Sequence, residues 1–301
     1  MNGIFNYIKP PGITSNDAVV DFKRLLGIKK VGHAGTLDPA AAGVLPITIG
    51  RGTRLFDYLL HSDKVYIGEI LLGVTTDTFD TSGTVLKRSP AAVSESAISG
   101  QMSALTGEIM QTPPMYSAIK HGGKKLYQLA RKGEKAEVAP RPVTVYAFDL
   151  LEMTASDRVR FCVRCSKGTY IRALAHDLGA ALGCGACLAL LVRTQSGSFA
   201  IRDALTFEQI RAAYENDQLH RYLIAPDKPL LHYPAIGFPE TAEPGFRNGM
   251  ALPLSLAHGH PPDPQEGMLL RLYCGSSFIG LGRIIKDDAG CWTARIHCML
   301  T

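Results

Sequence analysis

The chain has 301 residues, 46% hydrophobic and 20% charged, a balance that supports a sizeable core and excludes a disordered or fibrous chain. This length exceeds that of a usual single domain, so one large domain with a smaller one beside it is expected. A formal charge of +5 favours a polyanionic partner without requiring one, and no apolar run is long enough to span a bilayer.

Residues 1–7 have neither a basic leader nor the apolar stretch of a signal peptide, so a cytoplasmic protein is expected. An amphipathic helix is predicted around Asp17 to Leu26. It is followed by a glycine-punctuated loop, Gly32-His33-Ala34-Gly35-Thr36-Leu37-Asp38-Pro39-Ala40-Ala41-Ala42-Gly43. Pro39 biases Asp38 away from helical backbone, and the glycines permit sharp turns or close approach of a ligand. Two readings stay open for Asp38: a helix N-cap with Pro39 at the first helical position, or a carboxylate fixed in an active-site loop.

A strand is predicted over residues 65–72, with Tyr66 facing opposite Val65 and Ile67. Residues 94–106 read as a helix opened by Ser94, with Ile98, Met102 and Leu105 on its inner side. Residues 120–133 interleave cations with glycines and Tyr127, which is either a solvated face or a loop that orders against a phosphate backbone. Strand alternation returns at 141–152 and 158–165.

Cys162, Cys165, Cys184 and Cys187 have zinc-site spacing, yet Cys162 and Cys165 fall in an alternating strand with no turn between them. The seven scattered cysteines are therefore read as reduced thiols. A second helix is predicted over 169–182, capped by Thr169, buried through Ile171, Leu174, Ala175 and Leu178, and ended by Gly183 and Gly185. Arg172 opens that helix against the local dipole, so it either has a specific partner or is a solvated surface arginine. Past residue 225 the spacing becomes rich in Pro and Gly, with short strands at 268–273 and 278–282. The expected organisation is an α+β domain over 1–228 and a small β-rich domain over 229–301.

Seven phrases then fall in one order: Lys9-Pro10-Pro11-Gly12, the Asp38 loop, Arg51-Gly52-Thr53-Arg54, Asp63-Lys64-Val65-Tyr66, Leu72-Gly73-Val74-Thr75-Thr76-Asp77, Pro113-Pro114-Met115-Tyr116 and Ser166-Lys167-Gly168-Thr169-Tyr170-Ile171-Arg172. Together they resemble the TruB family of tRNA pseudouridine synthases. The resemblance implies a mixed, largely antiparallel bent sheet flanked by helices, and a PUA-like RNA-binding module at the C-terminus. It implies isomerisation of uridine to pseudouridine at position 55 in the T-loop of tRNA, without metal or cofactor, by a monomer.

By the same resemblance Asp38 is the essential carboxylate, and Arg172 its partner through two parallel hydrogen bonds. Tyr66 stacks on the target base; a proton-abstracting role is less suited to a phenol whose ordinary pKa is about 10. His33 fills the gap left by the flipped base. Tyr116, Lys120 and Leu191 contact the substrate, and Lys9 and Lys64 add phosphate or cleft contacts. The order of steps stays open among attack at C6, attack at C1′ and a glycal route. Two other classes remain: a non-catalytic RNA-binding or RNA-folding protein, and a glycosidase. The latter wants two flanking acids, whereas Asp77 and Asp80 read as loop-stabilising residues.

Overall fold

The computed structural model describes residues 1–301 except Ala118, Arg131, Lys135, Glu137, His260, Pro262 and Thr301, and omits the side chains of Lys120, His121, Lys124, Lys125 and Tyr127. In chain order the first part comprises β1 (Gly3–Lys9), α1 (Ser15–Leu26), β2 (Val31–His33), β3 (Ala42–Ile49), α2 (Phe56–Leu60) and β4 (Lys64–Leu72). A hairpin of β5 (Val74–Thr76) and β6 (Val85–Arg88), α3 (Glu95–Ala104), β7 (Gly107–Gln111) and a second hairpin of β8 (Lys120–His121) and β9 (Lys124–Lys125) come next. It closes with α4 (Leu126–Ala130), β10 (Arg141–Ala155), β11 (Arg158–Cys165), α5 (Ile171–Ala181), β12 (Ala186–Ser196), β13 (Phe199–Ala200) and α6 (Phe207–Glu215).

One sheet organises this part, in the order β1-β3-β12-β4-β11-β10-β7, with β2 on β3 and β13 on β12. Its pairings are antiparallel except β12 with β3, where Arg193 lies beside Gly43 in parallel register. This is the expected α+β class with a mixed, largely antiparallel sheet. Period-two alternation decides which face is covered. On β4, Lys64, Tyr66, Gly68 and Ile70 are buried while Ile67 points to the open face. On β11, Val159, Phe161, Val163 and Cys165 are buried while Arg158, Arg160 and Arg164 are exposed. Cys162 and Cys165 thus face opposite ways, and among the described residues no group of His, Cys, Asp or Glu has metal-site geometry.

Helices α3 and α5 lie on β10 and β12 and bury the residues that the 3.6-residue period assigned to them: Ile98 and Met102, and Ile171, Leu174, Ala175 and Leu178. Ser94 caps α3 as expected, through the Ala97 amide at 3.3 Å. Thr169 does not cap α5. The helix starts after Tyr170 with no side-chain cap, and the Thr169 hydroxyl donates to the Ser166 carbonyl at 3.0 Å. A Thr two residues before a helix cannot reach its free amides, so the turn took the hydroxyl instead.

The second part is a five-stranded sheet in the order β14-β16-β17-β18-β15. Its elements are β14 (Ala235–Phe238), α7 (Glu243–Arg247), β15 (Ala251–Pro253), β16 (Leu269–Cys274), β17 (Ser277–Lys286) and β18 (Trp292–Met299). Ile236, Phe238, Phe246, Leu270, Leu272 and Ile284 make its core. Leu281 and Leu300 pack with Ile4, Val44 and Leu55, and Arg54 donates to the Met299 carbonyl at 2.6 Å, which docks this module on the first part. No helix among the described residues is long and apolar enough to cross a membrane.

Candidate active site

Between β2 and β3 the chain makes the loop that carries Asp38. It is a turn, closed by the Ala41 amide on the Asp38 carbonyl at 3.1 Å, and not the start of a helix. The N-cap reading therefore falls. The three alanines favour a helix locally, but the chain has to rejoin the sheet at Ala42, where β3 pairs with β12. The loop is tied from outside. Ser15 Oγ donates to the Leu37 carbonyl at 3.1 Å and accepts from the Leu37 amide at 2.9 Å. The Pro39 carbonyl accepts from the Gly12 amide at 2.8 Å and from Lys9 Nζ at 3.3 Å. Asp38 is thus held by backbone bonds on both its neighbours.

Arg172, on the first turn of α5, reaches this carboxylate with Nε at 2.8 Å from Asp38 Oδ2. Its other nitrogens bind main-chain carbonyls, Thr78 at 3.0 Å and Tyr116 at 2.9 Å. The expected two-pronged carboxylate pairing is replaced by one Nε contact, because the fork is shared among the Asp38 loop, the β5–β6 loop and the segment at Tyr116. Asp80 Oδ2 lies 3.6 Å from the same guanidinium. Burial pushes the Asp38 carboxyl above the ordinary carboxylate value, Arg172 opposes that rise, and the Asp80 charge adds to it.

Asp80 was read from the sequence only as a loop residue, and it is also that: its Oδ1 accepts from Thr78 Oγ1 at 2.7 Å and the Ser82 amide at 3.0 Å. Its second oxygen faces Arg172, a juxtaposition across more than ninety positions that local pattern does not encode. Phe79 between Thr78 and Asp80 has φ of 64°, a strained value for a bulky residue, and stacks on His176 at 4.0 Å.

Tyr66 is buried on the covered face of β4, beside Leu191 and Arg193 of β12; Arg193 pairs with Tyr66 in register and Leu191 with Gly68. Burial raises the Tyr66 phenol, so its hydroxyl stays protonated at neutral pH, which suits stacking better than proton abstraction. His33 ends β2 at the loop's entrance with a buried Nδ1 that has no partner, and burial followed by the Arg193 charge lowers its pKa. A neutral, planar ring is what a base-replacing role asks for.

Lys9 and Lys64, expected to add phosphate or cleft contacts, both turn to main-chain carbonyls. Lys9 is fully buried and donates to the carbonyls of Pro10, Ile13 and Pro39; Lys64 is 5% exposed and donates to those of Leu60 and Ser62. Those carbonyls account for both ammonium groups without a phosphate. Burial lowers each from 10.5 to about 8. Tyr116 is half-buried, with its carbonyl on Arg172. Lys120 belongs to β8, and its side chain lies outside the described residues.

Residues 23–171 match the TruB family pseudouridylate synthase N-terminal domain, and residues 172–231 match the tRNA pseudouridylate synthase B C-terminal domain. The chain is 40% identical over 303 aligned positions to the tRNA pseudouridine synthase B of Moorella thermoacetica, covering 99% of each protein. The chain belongs to the TruB family. The protein of that name from Alkaliphilus oremlandii is 41% identical over 96% of this chain and 95% of its own. As a TruB-family member the chain is a pseudouridine synthase, an isomerase.

Among solved structures, a Cbf5-Nop10-Gar1 complex gives a TM-score of 0.76 at 27% identity, covering 99% of this chain and 85% of that one. An H/ACA RNP bound to a substrate RNA containing 2′-deoxyuridine gives 0.74 at 25%, with the same coverage. The second TruB match ends at residue 231, after α5, β12 and α6. The module from β14 onward therefore lies outside both family matches.

Proposed function

We propose that this protein isomerises uridine 55 in the T-loop of tRNA to pseudouridine, with Asp38 as the catalytic carboxylate. The observation that carries the reading is the pairing of Asp38 with buried Arg172 at 2.8 Å. The reaction breaks the C1′–N1 bond, turns the freed base and joins C5 to the same sugar carbon, so neither a redox group nor phosphate energy is consumed. An ionised Asp38 serves as nucleophile or base, and a carboxyl raised by burial is a stronger base once ionised. Arg172 keeps the charged form populated in that buried place.

The flipped uracil would lie against Tyr66 and Leu191, with the His33 ring in the vacated stack. The net charge of +5 and the names of the curated relatives support tRNA as the RNA, read through the shape of its T-stem-loop. In this reading residues 1–228 catalyse, residues 229–301 add an RNA-binding surface, and a cytoplasmic monomer acts without cofactor.

Wild type and Asp38→Asn, in EDTA, are given a T-arm RNA tritiated at C5 of the target uridine. Release by wild type, with a loss of about 10⁴-fold or more in the variant at unchanged RNA affinity, is the expected result. Tight binding with no release by wild type would favour an RNA-folding protein on the same scaffold.

A further inference from the structure

Arg193 sits in the middle of β12, 1% exposed, among the largest fully buried side chains. Removing a guanidinium from water costs several kcal/mol unless partners replace the solvent. Among the described residues no carboxylate forms an ion pair with it. Its donors go to main-chain carbonyls instead: Nε to Val44 at 2.7 Å, one terminal nitrogen to Gly35 at 3.0 Å, and the other to Thr36 at 3.5 Å.

Those three acceptors are the two ends of the Asp38 loop. Gly35 and Thr36 lead into it, and Val44 leads out. The backbone adds a second contact at the exit, where Gly43 runs parallel to Arg193 with φ of 107°, and a Cβ at Gly43 would overlap the Arg193 carbonyl. Across the sheet, Arg193 is the register partner of Tyr66, so the two side chains stand on the same face. One side chain therefore touches the neck of the Asp38 loop on both sides and stands beside Tyr66 in the sheet. Carbonyls satisfy the donors without cancelling the charge, and the same cation helps to hold His33, Lys9 and Lys64 below their ordinary pKa values.

We propose that Arg193 is a positioning residue for the isomerisation: its planar fork closes the neck of the loop that carries Asp38 and fixes that loop against Tyr66. The proposal rests on the pseudouridine-synthase reading of the cleft. A lysine keeps the charge but, as a single point donor, cannot meet three carbonyls that converge from both ends of a loop.

Arg193→Lys and Arg193→Ala are compared with wild type by thermal melting, affinity for the T-arm RNA, single-turnover tritium release, and amide exchange. Arg193→Lys should melt within a few degrees of wild type, bind RNA within about twofold, and release tritium about 10²-fold more slowly, the scale of a loop misplaced by an ångström. Amides across residues 34–44 should exchange at least about tenfold faster, while those of β17 and β18 stay unchanged. Added guanidinium ion should restore part of the Arg193→Ala rate; if Arg193→Ala does not fold, Arg193→Lys decides. Wild-type turnover and exchange in Arg193→Lys would overturn the proposal, as would a rate loss matched by an equal loss of RNA affinity. A wild type that releases no tritium would sink the functional reading, and the exchange measurement would still decide whether Arg193 clamps the loop.

Discussion

The surroundings of Asp38 and the core of the C-terminal module both bury side chains, but they are built from opposite materials. Around Asp38 the buried groups are cations: Lys9, Lys64, Arg172 and Arg193 are each at most 5% exposed. The module's core is Ile, Phe and Leu, and Thr293 is the sole buried polar side chain there among the described residues. The lesson is a division of labour. Apolar burial stabilises without fixing orientation, whereas a buried cation must be met by directed acceptors and so fixes the chain segments that supply them. Lys9 ties the 10–13 segment to Pro39, Lys64 ties the turn after α2, Arg172 joins three loops, and Arg193 closes the Asp38 loop. The cleft is thereby organised before RNA arrives, at a desolvation cost that the hydrophobic cores offset.

The sharpest test of this contrast is Arg172→Lys. A lysine cannot serve Asp38, Thr78 and Tyr116 together, so single-turnover release should fall about 10²- to 10³-fold with RNA affinity intact. Parallel loss of affinity would mean that Arg172 supports the RNA surface instead. In the module, Phe246 is fully buried and stands edge-on to Phe238 at 4.9 Å. Phe246→Ala should destabilise the protein by about 3–5 kcal/mol in denaturant titrations while leaving the single-turnover rate of the folded fraction near wild type. A rate loss as large as that of Arg172→Lys would erase the distinction between the two regions.

Smaller effects follow from the charges themselves. The Asp80 charge is one of the causes that raise the Asp38 carboxyl, so Asp80→Asn should move the acid limb of the pH–rate profile to lower pH. A shift the other way would show that Asp80 acts mainly by holding Arg172. Lys9 is lowered from 10.5 to about 8, so between those values the unfolded chain binds the proton that the folded one lacks. Stability contributed by this group therefore rises with pH from about 8 to 10.5 and is level below. Lys9→Met should flatten that rise by at most about 1.4 kcal/mol per pH unit, read from urea midpoints at about pH 8 and 9.5.

Much of the scaffold was legible in the chain. The alternation at 158–165 and the helical period at 171–178 gave the right elements and the right buried faces, because each depends on residues within one or two turns. The family phrases brought Asp38, Tyr66 and Arg172 forward; the fold sets Asp38 against Arg172 and buries Tyr66 on β4. What escaped were matters of partner. Lys9 and Lys64 read as phosphate or cleft contacts until the carbonyls that accept their hydrogen bonds were in view. Arg193 stands in an apolar run, Leu190-Leu191-Val192-Arg193, where nothing local separates a buried clamp from a charge at a strand's edge. Asp38 itself carried a plausible helix cap that only the pull of β3 into the sheet removed.

The sequence alone therefore determined the elements, their inward faces and the residue types available for chemistry, since periodicity and turn chemistry are short-range. The tertiary structure decided which carbonyl, carboxylate or ring each charged group meets. Those partners lie as far as 245 positions apart along the chain, as Met299 does from Arg54, and only tertiary packing brings them within 3 Å.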